Sequence, residues 1–217
     1  MVDNFRIQAI DHFGRLIPKS FDAISELESY KDVFGEENPP HPFAVHNLFR
    51  QCQLMPFLPW SFYMACAQGF HALVSGVPHN GETVRLRGED HRTALLGWKR
   101  LYDKTRKIRV STILMRGQGC SEDKCTHQIR LSFAETATYH IRSDAFAQWG
   151  MFKMLAAGDQ LNTSSPQQNR SSDKNLSPCK SCTDLWLHTE KHERRQVWND
   201  LPSYFDLPAW DALKLDV

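Results

Sequence analysis

Apolar side chains recur at helical intervals along most of this chain, and interruptions in that recurrence mark its elements. Val2, Phe5, Ala9, Phe13 and Leu16 fall three or four residues apart and Pro18 ends the run, which predicts a first helix. Ser20 is placed to cap a second, with Ile24, Leu27 and Phe34 facing inward and Gly35 as a C-terminal stop. Glu37-Asn38-Pro39-Pro40-His41-Pro42 reads as a stiff connector, and Pro42 suits the first turn of a third helix that buries Val45, Leu48, Phe49 and Cys52.

From Gln51 to Gly81 there is no Asp, Glu, Lys or Arg. Within it Leu58, Phe62, Cys66, Phe70 and Leu73 line one side of a predicted helix opened by Pro59, while Trp60, Met64 and Ala67 leave the other side scarcely polar; such a helix is central. Pro56, Pro59, Gln53, Gln68 and His71 make the stretch a poor lipid-facing span, so a buried core helix is expected instead of a membrane segment. Gly76 and Pro78 end it and His79-Asn80-Gly81 reads as a turn.

Glu89 and Asp90 then occupy the first turn of a helix carrying Ala94, Leu95, Trp98 and Tyr102 on one face, acidic where the helix dipole favours anions. Lys107 to Leu114 fits a strand by alternation and a continuing helix through Leu101, Ile108, Thr112 and Met115; period alone does not separate the two. Beyond Gly117 and Gly119, Cys125, Ile129, Phe133 and Ala137 form a helical stripe, and Phe146, Trp149 and Leu155 predict a helix from about Asp144 to Ala157. Residues 158–178 are almost wholly polar and predict a mobile loop. A last helix runs through Leu185, Thr189 and Val197 to Trp198.

Composition narrows the function classes. The 217 residues include 26 basic and 25 acidic side chains, so no whole-molecule field recruits nucleic acid or an anionic membrane. Met1-Val2-Asp3-Asn4-Phe5-Arg6 is not an export signal, which predicts an intracellular protein, cytoplasmic or nuclear, whose six cysteines stay reduced.

Four of those cysteines form two close pairs: Cys120 and Cys125 with four residues between them, Cys179 and Cys182 with two. Two such pairs supply the four thiolates that tetrahedral Zn²⁺ prefers, and 53 residues separate them. A structural zinc site is the leading expectation, with unligated core thiols and disulfides as alternatives, and with His127, His188 and His192 near enough to stand in for one sulfur. Four thiolates leave no open position, so no chemistry is expected at the metal. Gly-x-Ser-x-Gly, His-Glu-x-x-His, phosphate-loop and dinucleotide fingerprints are all missing from the sequence, which predicts a non-enzyme. The basic stretches Lys99–Arg109 and Lys191–Arg195 read as solvated helix faces, with nucleic-acid binding as the second reading. The expected fold is all-α, a single irregular helical domain with a four-cysteine structural zinc site.

The C-terminal residues Trp198, Leu201, Pro202, Phe205, Leu207, Trp210 and Leu213 fit a Trp-x-x-Leu-Pro-x-x-Phe-x-Leu-x-x-Trp-x-x-Leu pattern. This resembles the closing motif of BTB/POZ-domain proteins from the mushroom lineage of fungi. Leu58-Pro59-Trp60-Ser61-Phe62-Tyr63-Met64-Ala65-Cys66 is similar to another helix of that family, as are Arg85-Leu86 to Asp90 with Leu95-Leu96-Gly97 and Leu101, and both cysteine pairs stand where the family has them. The resemblance covers roughly residues 40–217. It implies a helical, zinc-stabilised domain over 41–217, preceded by helices over 1–40 that match the trailing end of a BTB domain. The upstream β/α domain of about one hundred residues that names the family has no room here. Resemblance to whole BTB proteins implies self-association and cullin ubiquitin-ligase adaptor roles; the aromatic content, the closed metal and the lack of a catalytic motif point instead to a non-catalytic interaction or adaptor module that binds protein partners.

Overall fold

In the computed structural model the described residues are 2–26, 34, 39–120, 125 and 179–213. The centre of the fold is α4 (Leu58–Cys66), preceded by a 3₁₀ turn (Met55–Phe57), and all nine of its residues are buried. Apolarity on every side is what allows this: helix α3 (Pro42–Gln51) packs on one flank, α6 (Gly88–Leu114) on another, and the short α8 (Leu201–Tyr204) on a third. Helices α1 (Val2–Leu16) and α2 (Phe21–Glu26) lie outside α3 and α7 (Lys180–Asn199), joined to the core through Phe13, Ile17 and Phe21. Ser20 caps α2 through its hydroxyl, which accepts from the Ala23 amide at 3.2 Å.

The predicted central helix is broken. Gly69 adopts φ 89°, a left-handed conformation that redirects the chain after Cys66, and a separate α5 (Phe70–Ser75) follows. The break turns Phe70 outward, 49% exposed, instead of into the core, where its ring meets Trp98 at 5.1 Å; Leu73 remains buried. The predicted turn at Asn80-Gly81 closes a two-stranded antiparallel hairpin, β1 (Val77–His79) against β2 (Glu82–Val84), with Val77 opposite Val84. Positive φ at both turn residues, 50° and 82°, is the reason Asn-Gly occupies them. Among the described residues the fold is thus mostly helical, as expected, with the hairpin its one small sheet.

The helical reading of Lys107–Leu114 is the one adopted, with α6 running 27 residues and Ile108 buried. On α3 the buried arc consists of Pro42, Phe43, Val45, His46 and Phe49, so Leu48, placed inward by the sequence reading, is 43% exposed. Cys52 is likewise exposed: it is the C-cap, past the last turn, and not a core thiol. At the other end of the chain, Trp198, Leu201, Phe205 and Leu213 are buried and Trp210 stacks on Trp198 with centroids 5.3 Å apart. The aromatic tail is core. Among the described residues no helix is long and apolar enough to cross a membrane. Leu27, Gly35, the Cys125–Ala137 stripe beyond Cys125, the 144–157 helix and the 158–178 loop lie outside the described residues.

Candidate metal centre

The end of α6 and the start of α7 carry the cysteines to one point. After Leu114 the chain turns through Gly117-Gln118-Gly119, with the Cys120 amide donating to the Gly117 carbonyl at 3.1 Å and Gly119 at φ 75°. Cys179 is the N-cap of α7 and Cys182 sits in its first turn, an i, i+3 spacing that aims both side chains the same way. The Sγ atoms of Cys120, Cys125, Cys179 and Cys182 all lie within 4.8 Å of one another. A tetrahedral ion with metal–sulfur bonds of ~2.3 Å separates its sulfurs by about 3.8 Å, so the quartet needs only a small contraction to become a ligand set able to hold a metal ion.

Backbone donors already face the sulfurs. The Gly117 amide donates to Cys182 Sγ at 3.3 Å and the Cys179 amide to Cys125 Sγ at 3.2 Å, contacts that favour thiolate and fix its direction. Cys125 and Cys182 are fully buried, while Cys120 and Cys179 are half-buried. The Cys182 thiol is pushed up to about 12 by burial, and Cys120 is lowered by the hydrogen bond from Cys182 first, with the Arg116 charge adding to it. Cys120 thus carries negative charge more readily than Cys125 or Cys182, and its neighbours donate to it.

Gly117 is required by contact. A Cβ there would stand 2.3 Å from Ser181 Oγ and 2.5 Å from the Ser181 carbonyl carbon, so only glycine lets α7 dock on the α6 terminus. The same junction is tied by Ser181 Oγ donating to the Gln118 carbonyl at 3.2 Å and by Trp186 Nε1 donating to the Met115 carbonyl at 2.8 Å. Sequence reading found the cysteines from their spacing but not these supports, which join residues more than 60 positions apart. His188 and His192 are exposed on α7 and are not members of the group; His127 lies outside the described residues. All six cysteines are free thiols, and Cys66, with its sulfur 3.5 Å from the Ala94 carbonyl, belongs to the core.

A second polar cluster went unnoticed in the sequence. His46 and Ser61 are completely buried, with His46 Nδ1 2.9 Å from Ser61 Oγ and the Ser61 hydroxyl 3.0 Å from the Leu58 carbonyl. His46 Nε2 stands 3.3 Å from Asp90, and Asp90 takes Arg50 in a forked pair, 2.9 Å at Nε and 2.5 Å at Nη2. Asp90 stands in the first turn of α6, as the sequence predicts, and also ties that helix to α3. Burial opposes its charge, but the hydrogen bonds with His46 and Arg50 hold its carboxyl down at about 2.

Four cations of the basic stretches are engaged within the fold. Lys99 pairs with Asp103, Arg100 with Asp206 at 2.7 Å, Lys104 with Glu193 at 3.1 Å and Arg195 with Asp22 at 3.0 Å. No protein-family model, curated protein or solved structure matches this chain.

Proposed function

We propose that this chain is a non-catalytic protein-interaction or adaptor module of BTB-like ancestry, its fold locked by a structural Zn²⁺ on Cys120, Cys125, Cys179 and Cys182. The observation that carries the reading is the closed quartet: four sulfurs converge, two of them fully buried, with backbone amides on the sulfurs and no coordination position left for water or substrate. A tetrahedral all-thiolate set joining two chain segments suits Zn²⁺, and the metal's identity, zinc or iron on the same four sulfurs, is read directly by elemental analysis. The metal's role is to pin α7, and the aromatic tail behind it, to the end of α6.

The tail itself is packed inward, so a partner must meet another surface. Exposed Phe70 and Val74, beside half-buried Trp98 and Tyr102, form an apolar patch of the kind that marks protein contacts. Nucleic-acid binding is the weaker reading, because Lys99, Arg100, Lys104 and Arg195 of those stretches are paired with carboxylates and the chain as a whole is near neutral. An intracellular setting, cytoplasmic or nuclear, goes with reduced thiols and protein partners rather than a membrane.

Elemental analysis of protein purified without added metal tests the first half: one zinc per chain is expected, and its loss in each single Cys→Ser variant. Protein with no bound metal, or with metal retained by all four variants, overturns it. For the second half, proximity labelling in cells with wild type and Phe70→Ser should give a partner set that the substitution depletes; identical sets overturn the assignment of that surface.

A further inference from the structure

Away from the metal, a cleft of about 790 Å³ lies between α1, the α1–α2 turn and the C-terminal segment. Its walls include Phe57, Trp198 and Leu213, each at least nine-tenths covered, and half-buried Trp210, whose indole is held in place by donating to the Trp198 carbonyl at 3.0 Å. This is an aromatic floor with fixed side chains, and its volume falls in the range of about 300–1,000 Å³ typical of small-molecule sites.

The charges at the mouth do not cancel. Three cations and two carboxylates line it. Asp11 pairs with Arg15 and Asp22 with Arg195, whose guanidinium also lies over the Phe21 ring at 5.5 Å. Lys19 has no carboxylate partner among the described residues. Its Nζ and the Phe57 Cζ stand 3.8 and 4.0 Å from the point where a Gly14 Cβ would lie, so the exposed ammonium and the apolar ring flank one position at the mouth.

We propose that this cleft binds a small amphiphilic organic carboxylate, with its carboxylate on Lys19 and its apolar body against Phe57, Trp198 and Trp210. Lys19 is solvent-exposed, so a neutral ligand of the same shape would leave its ammonium to water and forgo the ion pair, and a cationic one would be repelled by it. The cleft shares no residue with the cysteine quartet, although Arg195, Trp198, Trp210 and Leu213 stand on the helix and tail that the metal pins.

The test uses the full chain and follows its tryptophan fluorescence, with calorimetry in parallel. The probes are 1-naphthoate and octanoate, set against the neutral 1-naphthalenemethanol and 1-octanol. Saturable binding of a carboxylate is expected, about tenfold tighter than its alcohol, the equivalent of about 1.4 kcal/mol. Lys19→Gln should erase that preference while leaving the alcohol's affinity unchanged, and Gly14→Leu, whose Cβ makes only ordinary contacts with Lys19 and Phe57 at the cleft wall, should abolish binding of all four. Circular dichroism and zinc content report that each variant is folded. Preference for naphthoate identifies an aryl ligand and preference for octanoate an alkyl one; either supports the site. Lack of saturable carboxylate binding to wild type, or a carboxylate preference that survives Lys19→Gln, overturns it.

Discussion

The Phe205 ring stacks on Phe62, centroids 4.8 Å apart and planes 13° from parallel, in a gap that exists because residue 97 is glycine. A Cβ at Gly97 would stand 2.2 Å from the Phe205 ring. Gly97→Ala should therefore destabilise the fold by about 1–3 kcal/mol despite alanine's better helix propensity, because the displaced ring is fully buried. Phe205→Ala, which opens a cavity instead, should cost about 3–5 kcal/mol. Urea unfolding of both variants measures this, and a stabilised Gly97→Ala would show that the ring has room to move.

At the metal centre, chelation should lower the thermal midpoint and make unfolding less cooperative, since the site exists only in the folded chain. Ligands bind as thiolates, so metal affinity should fall as the medium is acidified. Gly117→Ala should weaken metal retention by roughly 10–100-fold without removing a ligand, because Ser181 can no longer approach and the amide donor to Cys182 is displaced. Competition with a chromogenic chelator reads this directly.

Acid stability should reflect the neutral histidines. His41 Nδ1 accepts from the Phe43 amide at 3.2 Å and caps α3; burial, then the neighbouring His79, lowers its pKa to about 4. His46 is also lowered, chiefly by burial, with Arg50 adding to that and Asp90 opposing it. Both groups bind protons more readily in the unfolded chain, so stability is full above the ordinary value of 6.5 and declines below it, His41's share being lost towards pH 4. Asp90, depressed instead, adds stability above 3.8 that disappears as the pH falls to about 2. His41→Asn keeps a capping acceptor and removes the titration; it should flatten the decline between pH 6.5 and 4 in denaturant midpoints measured across that range.

Arg50→Ala should cost about 1–2 kcal/mol, less than a fully buried pair because the Arg50 side chain is 39% exposed. Asp90→Asn at the same site should cost more than Arg50→Ala, since it weakens contacts to both Arg50 and His46. Thermal denaturation of the two single variants and the double variant gives the coupling between them.

Helical spacing made α1, α3, α4, α6 and α7 legible, because each has enough turns for a period to show. The hairpin did not show: three-residue strands carry no usable alternation, and only the Asn80-Gly81 turn hinted at it. The cysteine quartet was legible from spacing because metal ligands come in close pairs. Its supports, Gly117 against Ser181 and Trp186 against Met115, and the His46–Asp90–Arg50 cluster, depend on which helices meet, and one chain's local pattern does not encode that. Leu48 and Cys52 were placed inward because apolarity was read as burial; the α3 arc is centred instead on His46, a polar residue with its partners inside.

Cys125 and Cys179 lie 54 positions apart yet have their sulfurs side by side. Two residues so distant along the chain meet only rarely while it is unfolded. A metal held between them therefore discriminates the assembled fold from the loose chain and shifts the balance towards the former.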